Sequence, residues 1–303
     1  MSIATRTARE VTASTIATGR SRDKTPGSLL FLGALWFSLF FGVMVLVVLI
    51  VSTALEGASR FDSNLITEYG SILRPEETGF RAGILGTLWL MLTTAALAIP
   101  LGIAAAIYLE EFADPLTWYN RFIEVNIQNL AAVPSIVYGL LAVAALAVVG
   151  FNETGVVIGG AVALALLILP VIIITTRESL RAVPREIRFG SLALGATIWQ
   201  TTWRQTLPSA VPGIATGTIL GLSRAIGEAA PLLIIGIAGS VLFDPDGLVS
   251  PVTALPIQIY DLTSRSQEAF QQAASAAIIV LLAMILSLNA LAIFIRNKFQ
   301  KTW

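Results

Sequence analysis

Two charged side chains, Arg224 and Glu228, stand four residues apart inside Gly213–Ile237, a stretch otherwise apolar enough to cross a bilayer. A charge at the bilayer centre costs about 2.5–3.5 kcal/mol on insertion scales. Side chains placed there either line a water-filled pathway or neutralise one another within a bundle. At about 100° per helical residue, Gly213, Gly217, Gly221, Arg224 and Glu228 fall within an arc of roughly 80°. A groove of glycines thus runs into an arginine and a glutamate on one face. Small residues at four-residue spacing let helices approach closely in lipid, so this face is expected to meet another helix, with the two charges beside the seam.

Two uses of the pair stay open. As an ion pair it would lock the bundle, although arginine ahead of glutamate is the weaker order for an i,i+4 contact. As part of a pathway, Arg224 would offer its planar fork of donors to an anion, and Glu228 would hold it in place or weaken its grip. Arg177, near the end of another apolar run, is either an exit residue for the same ion or a basic anchor at the membrane edge. Pro134 and Pro170 remove backbone hydrogen bonds and are expected to kink their helices. Tyr138 and Asn289 read as hydrogen bonds between packed helices.

The elements that must position these residues are membrane helices. Of 303 residues, 55% are hydrophobic and 13% charged, against about 25% charged in a soluble domain; the mean hydropathy is +0.80. There is no cysteine and no histidine. Disulfides, thiolate zinc sites, imidazole ligands and Ser-His-Asp or Cys-His catalysis are therefore excluded. The aspartates lie in loops, which leaves little for an intramembrane hydrolase. The formal net charge of zero gives no pointer to nucleic acid. Neither a metal nor a cofactor is expected.

A spanning helix needs about 20 mainly apolar residues. Six stretches qualify: about 29–54, 82–109, 123–149, 155–176, 211–237 and 271–295. The third is the least clean, with Asn126, Gln128 and Asn129 at its start and Pro134 inside it. Residues 1–28 read as a polar, disordered cytoplasmic tail, residues 29–81 as the first span and an outer loop, and residues 82–296 as a five-span core. Residues 297–303 read as a short cytoplasmic tail. Lys and Arg crowd the N-terminal tail, the 177–210 loop and the C-terminal tail, which predicts both termini on the cytoplasmic side. The acidic loop 110–122 runs against that pattern. Two loops on the other side, 55–81 and 238–270, are long enough to be docking surfaces or plain solvated connections; Asp244-Pro-Asp-Gly247 in the second is a turn signal.

Between the fourth and fifth spans, Glu186–Pro208 reads EIRFGSLALGATIWQTTWRQTLP. A short helix-like run ends at Gly195, where glycine suits a sharp turn, and an amphipathic stretch leads to Leu207-Pro208. On spacing alone this is either a basic connecting loop or a docking element. The segment resembles the coupling loop of ABC importer permeases, with the pattern E-A-A-x3-G-x9-I-x-L-P. Gly195, Leu207 and Pro208 fit the pattern. Phe189, Gly190 and Ser191 stand at the E-A-A positions and Gln205 at the isoleucine position. Arg224-Ala-Ile-Gly-Glu228-Ala-Ala-Pro-Leu-Leu233 resembles the fifth-span signature of phosphate importer permeases of the PstA type. Val133-Pro-Ser-Ile-Val-Tyr-Gly139 and Gly83-Ile-Leu-Gly86-Thr-Leu are also similar, and the resemblance covers about residues 80–296.

The resemblance implies an all-α integral membrane protein of six transmembrane helices with a type I (MetI-like) permease core in the plasma membrane. It implies transport of phosphate by alternating access, with loop 186–208 docking on an ATPase. No G-x-x-x-x-G-K-[ST] loop is present, so energy would come from that partner. The implied assembly has a PstC-type second permease subunit, which could also meet the glycine face. Two PstB-type ATPase copies and a PstS-type extracytoplasmic binding protein complete it. Molybdate or sulfate transport, and a scaffold or sensor in phosphate signalling, remain alternatives.

Overall fold

A computed structural model describes residues 26–71, 73–114 and 116–299. The expected N-terminal tail up to residue 25 and the last four residues lie outside the described residues. The chain divides into two units, residues 1–52 and 53–303, and each is described by itself. In the first, helix α1 (Pro26–Glu56) carries almost no polar side chain. Its residues are apolar on every face and none is buried, the pattern of a helix whose solvent is lipid. Phe37 and Phe41, one turn apart, stack with ring centroids 6.1 Å apart.

Among its described residues the second unit holds nine further α-helices of five residues or more. α2 (Arg81–Ile107) runs into a π turn, Tyr108–Phe112. α3 (Trp118–Leu130) and α4 (Ser135–Val148) follow, then α5 (Val157–Arg181) and α6 (Arg185–Ala193). A single turn, Ile198–Thr201, and a second π turn, Thr202–Thr206, lead into α7 (Leu207–Ile226). α8 (Ala230–Ile234), α9 (Leu255–Thr263) and α10 (Glu268–Phe299) complete the chain. Among the described residues there is no β-strand, only an isolated bridge between Val156 and Pro251.

α5 is the central helix, because it is apolar around its whole circumference. Val157, Ala161, Leu164, Ile168, Ile172 and Leu180 are all within 1% of complete burial, against α2, α4 and α7. The α2 side of this core is built on small residues. A side-chain carbon on Gly102 would strike Ile172, and one on Gly86 would strike Val252 and the Thr253 carbonyl. Thr87, one residue on, accepts the Leu255 amide at 3.0 Å and donates to the Gly83 carbonyl at 2.7 Å. The G-I-L-G-T-L motif is thus where α2 receives the N-terminus of α9.

Among the described residues, four helices are long and apolar enough to cross a membrane: Pro26–Glu56, the α2 helix with its π turn (Arg81–Phe112), Val157–Arg181 and Glu268–Lys298. The other two expected spans are broken. The third, read as one helix over 123–149, is two: α3 ends at Leu130 and the apolar α4 has only 14 residues. Pro134 does more than kink it. It has no N–H for the Leu130 carbonyl, which instead accepts the Val133 amide at 3.0 Å and the Tyr138 hydroxyl at 2.5 Å. The fifth, read as one helix over 211–237, stops at Ile226 and restarts at Ala230. By contrast, Pro170 lies inside an unbroken α5.

At the end of the unit bearing residues 57–80 and 236–254, the two long connections are tied together. The Arg81 guanidinium grips the Asp244 carboxylate, with Nη2 2.5 Å from Oδ2 and Nε 3.1 Å from both oxygens, and lies over the Tyr69 ring. That hydrogen bond and charge hold the Asp244 carboxyl below the ordinary carboxylate range. Arg60 is buried, and its guanidinium donates to the Pro75 and Thr78 carbonyls. These connections are therefore folded elements. A cleft of about 860 Å³ opens beside them, lined by Asn64, Glu68, Tyr69, Ser71, Glu77 and Ser240 among others.

Candidate functional site

Arg224 sits in the last turn of α7 and Glu228 lies beyond the helix end, in the break Gly227–Ala229. The break has a backbone cause. Gly227 closes α7, and Pro231 fits the first turn of α8, where a missing N–H costs nothing. α8 ends at once in a left-handed glycine, Gly236 (φ +87°), whose amide meets the Leu233 carbonyl at 3.1 Å while Ile237 meets Leu232 at 3.1 Å. This two-bond C-terminal lock is the arrangement glycine permits. α8 packs on α4 at Gly139, where a side-chain carbon would lie 2.8 Å from the Pro231 carbonyl and 2.9 Å from Ile234. The Val133–Gly139 and Arg224–Leu233 motifs therefore meet in space.

The pair itself is loose. Arg224 Nε lies 3.4 Å from Glu228 Oε1, and the two side chains are 43% and 21% exposed. No other carboxylate reaches Arg224 among the described residues. Its neighbour Ser223 is bound, donating to Asn289 Oδ1 on α10 at 2.5 Å, and Tyr138 bonds a backbone carbonyl. Both serve helix packing, as their types suggested.

The glycine face meets another helix, and that helix belongs to the same chain. A side-chain carbon on Gly213 would strike Ser179 at 2.5 Å, one on Gly217 would overlap Thr175, and Gly221 lies 3.6 Å from Ile172 on the same measure. All three contacts are to α5 of the same chain. The arc that placed Glu228 on this face fails, because the helical rotation stops at Ile226.

Arg177 stands in the opposite electrostatic setting. Its side chain is only 10% exposed and is held by two carboxylates, Glu110 at 3.2 Å and Glu124 at 2.9 Å. Arg181 shares them, 2.8 Å from Glu110 and 3.8 Å from Glu124. Arg188, on α6, lies 3.0 Å from Glu111 and donates to the Leu180 carbonyl at 2.6 Å. Glu110, Glu111, Glu124, Arg181 and Arg188 were absent from the sequence-based candidates. Their one signal was the acidic stretch 110–122 standing where basic residues were expected; the arginines that answer it come from far along the chain.

The segment from Glu186 to Pro208 is compact. Glu186, Phe189 and Gly190 are exposed on α6, and Phe189 is 65% exposed. Ser191 bonds the Thr201 hydroxyl at 2.9 Å. Gly195 (φ +85°) takes the left-handed turn expected of it: its amide meets Leu192 at 2.9 Å and the Ala196 amide meets Ser191 at 3.3 Å. Thr197 and Gln200 then cap the next turn reciprocally, at 3.2 and 3.0 Å, a capping box. Leu207 and Pro208 open α7.

The chain matches the family described as "Binding-protein-dependent transport system inner membrane component" over residues 98–301. It belongs to that family. The permease is 35% identical over 221 residues to "Phosphate transport system permease protein PstA 1" of Mycobacterium tuberculosis, covering 72% of this chain and 70% of the relative. It is 32% identical over 265 residues to "Phosphate transport system permease protein PstA" of Yersinia pestis, covering 86% and 88%. Among solved structures it resembles a chain of the bacterial alginate ABC transporter bound to its periplasmic protein (TM-score 0.67, 17% identity, 91% of this chain and 97% of that one). A chain of the inward-facing MetNI methionine transporter gives a TM-score of 0.60 at 16% identity, over 72% and 95%. These two likenesses establish the fold of the permease: an all-α, MetI-like membrane component. As a permease it is a transport subunit and not an enzyme. Permeases of this family work with an ATPase and a substrate-binding protein in general.

Proposed function

We propose that this chain is the PstA-type permease subunit of an ATP-driven inorganic phosphate importer. The observation that carries the proposal is Arg224, an arginine at the break of α7 with one long contact to a carboxylate and an open flank. Unwound stretches between half-helices are where membrane transporters place their substrate sites. An arginine fork suits a tetrahedral oxyanion. Relatives 32–35% identical to this chain carry the names of phosphate transport permeases.

In this account Arg224 meets the ion and Glu228 keeps it from being held too tightly. Arg177 is neutralised by Glu110 and Glu124, so it is an anchor and not an exit residue. The chain crosses the membrane six times, with α3–α4 and α7–α8 as broken crossings and both termini cytoplasmic. Residues Glu186–Pro208 dock on a PstB-type ATPase subunit, present in two copies in the complex, a PstC-type permease completes the pathway, and a PstS-type protein delivers phosphate.

The test is ATP-driven uptake of labelled phosphate into vesicles holding the whole complex, in competition with sulfate and molybdate. Phosphate uptake resistant to excess of both supports the proposal. Preferential uptake of sulfate or molybdate would overturn the substrate, and ATP hydrolysis without any uptake would favour a sensor.

A further inference from the structure

Two π turns interrupt the unit, Tyr108–Phe112 at the end of α2 and Thr202–Thr206 at the start of α7. Such turns are rare and gather at functional places. These two face each other: the Phe112 ring lies 5.9 Å from Trp199, and Trp199 lies 5.3 Å from Trp203 in the second turn. Beside this stack, Glu111, whose side chain is 7% exposed, faces Arg188 of α6 at 3.0 Å. Consecutive glutamates therefore part company at the end of α2. Glu110 binds Arg177 and Arg181 of α5, whereas Glu111 binds α6 of the loop.

The segment between α5 and α7 has few other polar holds on the helices, and the buried residues within 185–206, Thr201, Thr202 and Thr206, all lie at the end next to α7. α6 buries no residue of its own. Ser191–Thr201 and the capping box are contacts within the segment. Among the described residues, its polar and ring ties to the helices are Arg188 to Glu111, Arg188 to the Leu180 carbonyl, and Trp199 to Phe112. The Leu180 tie sits directly before the segment in sequence and carries movement only to α5. The other two reach α2, which packs along the central helix.

Building on the importer assignment above, we propose that Glu111 and Phe112 are positioning residues that transmit displacement of residues 185–206 to α2. A push on the segment then moves α2 and α5 together. Without the two contacts it would be spent in the loop. Glu111 Oε1 is within ion-pair reach of Arg188 but lacks an aligned hydrogen bond, so the contact can slide without losing its charge attraction.

The test uses the complete complex in vesicles, with phosphate uptake and ATP hydrolysis measured together for wild type, Glu111→Gln, Phe112→Ala and the exchange Glu111→Arg/Arg188→Glu. The single variants are expected to lower uptake per ATP hydrolysed at least about fivefold, the lower end of ordinary coupling between sites. The exchange should recover most of it. Because the chain has no cysteine, spin labels at Leu101→Cys on α2 and Leu291→Cys on α10 give a readout independent of substrate. The ATP-driven change in their distance should be present in wild type and reduced in Glu111→Gln. Unchanged ratio and distance in both single variants, with the complex intact by gel filtration, would overturn the transmission role. A wild type that shows the distance change but no phosphate uptake would overturn the importer assignment and leave this role standing.

Discussion

Arg224 and Arg177 are both arginines near the ends of apolar helices, and their surroundings differ in one decisive respect. Arg177 is 10% exposed and lies between two carboxylates. Arg224 is 43% exposed with one carboxylate at 3.4 Å. A buried cation with two close anions has its charge spent on structure. A cation with a single long contact keeps donors free for a third party. Residue type and hydropathy cannot separate the two; the count of carboxylates around each can.

Removing Arg177 should be the most damaging change to stability. Arg177→Ala leaves Glu110 and Glu124 with only the exposed Arg181 as a cation, and breaking a buried pair costs about 3–5 kcal/mol. The thermal midpoint of the purified complex should fall by the largest margin in the series. A midpoint equal to wild type would erase the contrast with Arg224.

Gly217→Leu comes next. Its side chain would overlap Thr175 on α5, and overpacking typically costs about 1–3 kcal/mol. If the chain alone in detergent loses stability by that amount, the seam is internal; loss seen only after assembly would return it to a subunit interface. Tyr138→Phe removes one of the two hydrogen bonds to the Leu130 carbonyl and should cost about 1 kcal/mol, read by the same melt. Arg224→Gln should change stability least of the helix variants, within about 1 kcal/mol, as for an exposed pair.

The third arginine pair, Arg81 with Asp244, sharpens the comparison by pH. The Asp244 carboxyl is held below the ordinary range, first by the hydrogen bond from Arg81. A depressed carboxyl contributes stability above its unfolded value and loses it as pH falls through the folded value. The link between the two connections should therefore persist at neutral and mildly acidic pH and loosen only below the usual carboxylate range. Amide exchange of residues 239–247 across pH reads this directly, and loosening near neutrality would contradict it.

Much of the fold was legible because lipid imposes a simple rule. α1, α2, α5 and α10 are unbroken apolar runs, and a 20-residue window finds them. The same window joins what the backbone separates. It averaged across Val133-Pro134 and across Gly227, so two broken crossings read as two whole ones, and Glu228 was assigned a helical angle it does not have. Asn126, Gln128 and Asn129 were the visible warning for α3, which is amphipathic. In the site, Gly195 was legible since only a left-handed turn fits its place. Arg224 was legible since a charge in an apolar run demands a reason. The Glu110, Glu111 and Glu124 contacts were not, because their arginine partners lie 53 to 77 residues away in sequence and nothing local marks the pairing.

The most direct measurement of the central claim is ATP-driven phosphate uptake by vesicles holding the whole complex, comparing wild type with Arg224→Gln at matched complex content. Truncating one charged partner of an ion contact costs about 2–5 kcal/mol, so uptake should fall by at least about 30-fold while the assembled complex and its melting midpoint stay close to wild type. Normal uptake by Arg224→Gln would contradict the account and make the open arginine as structural as the buried one.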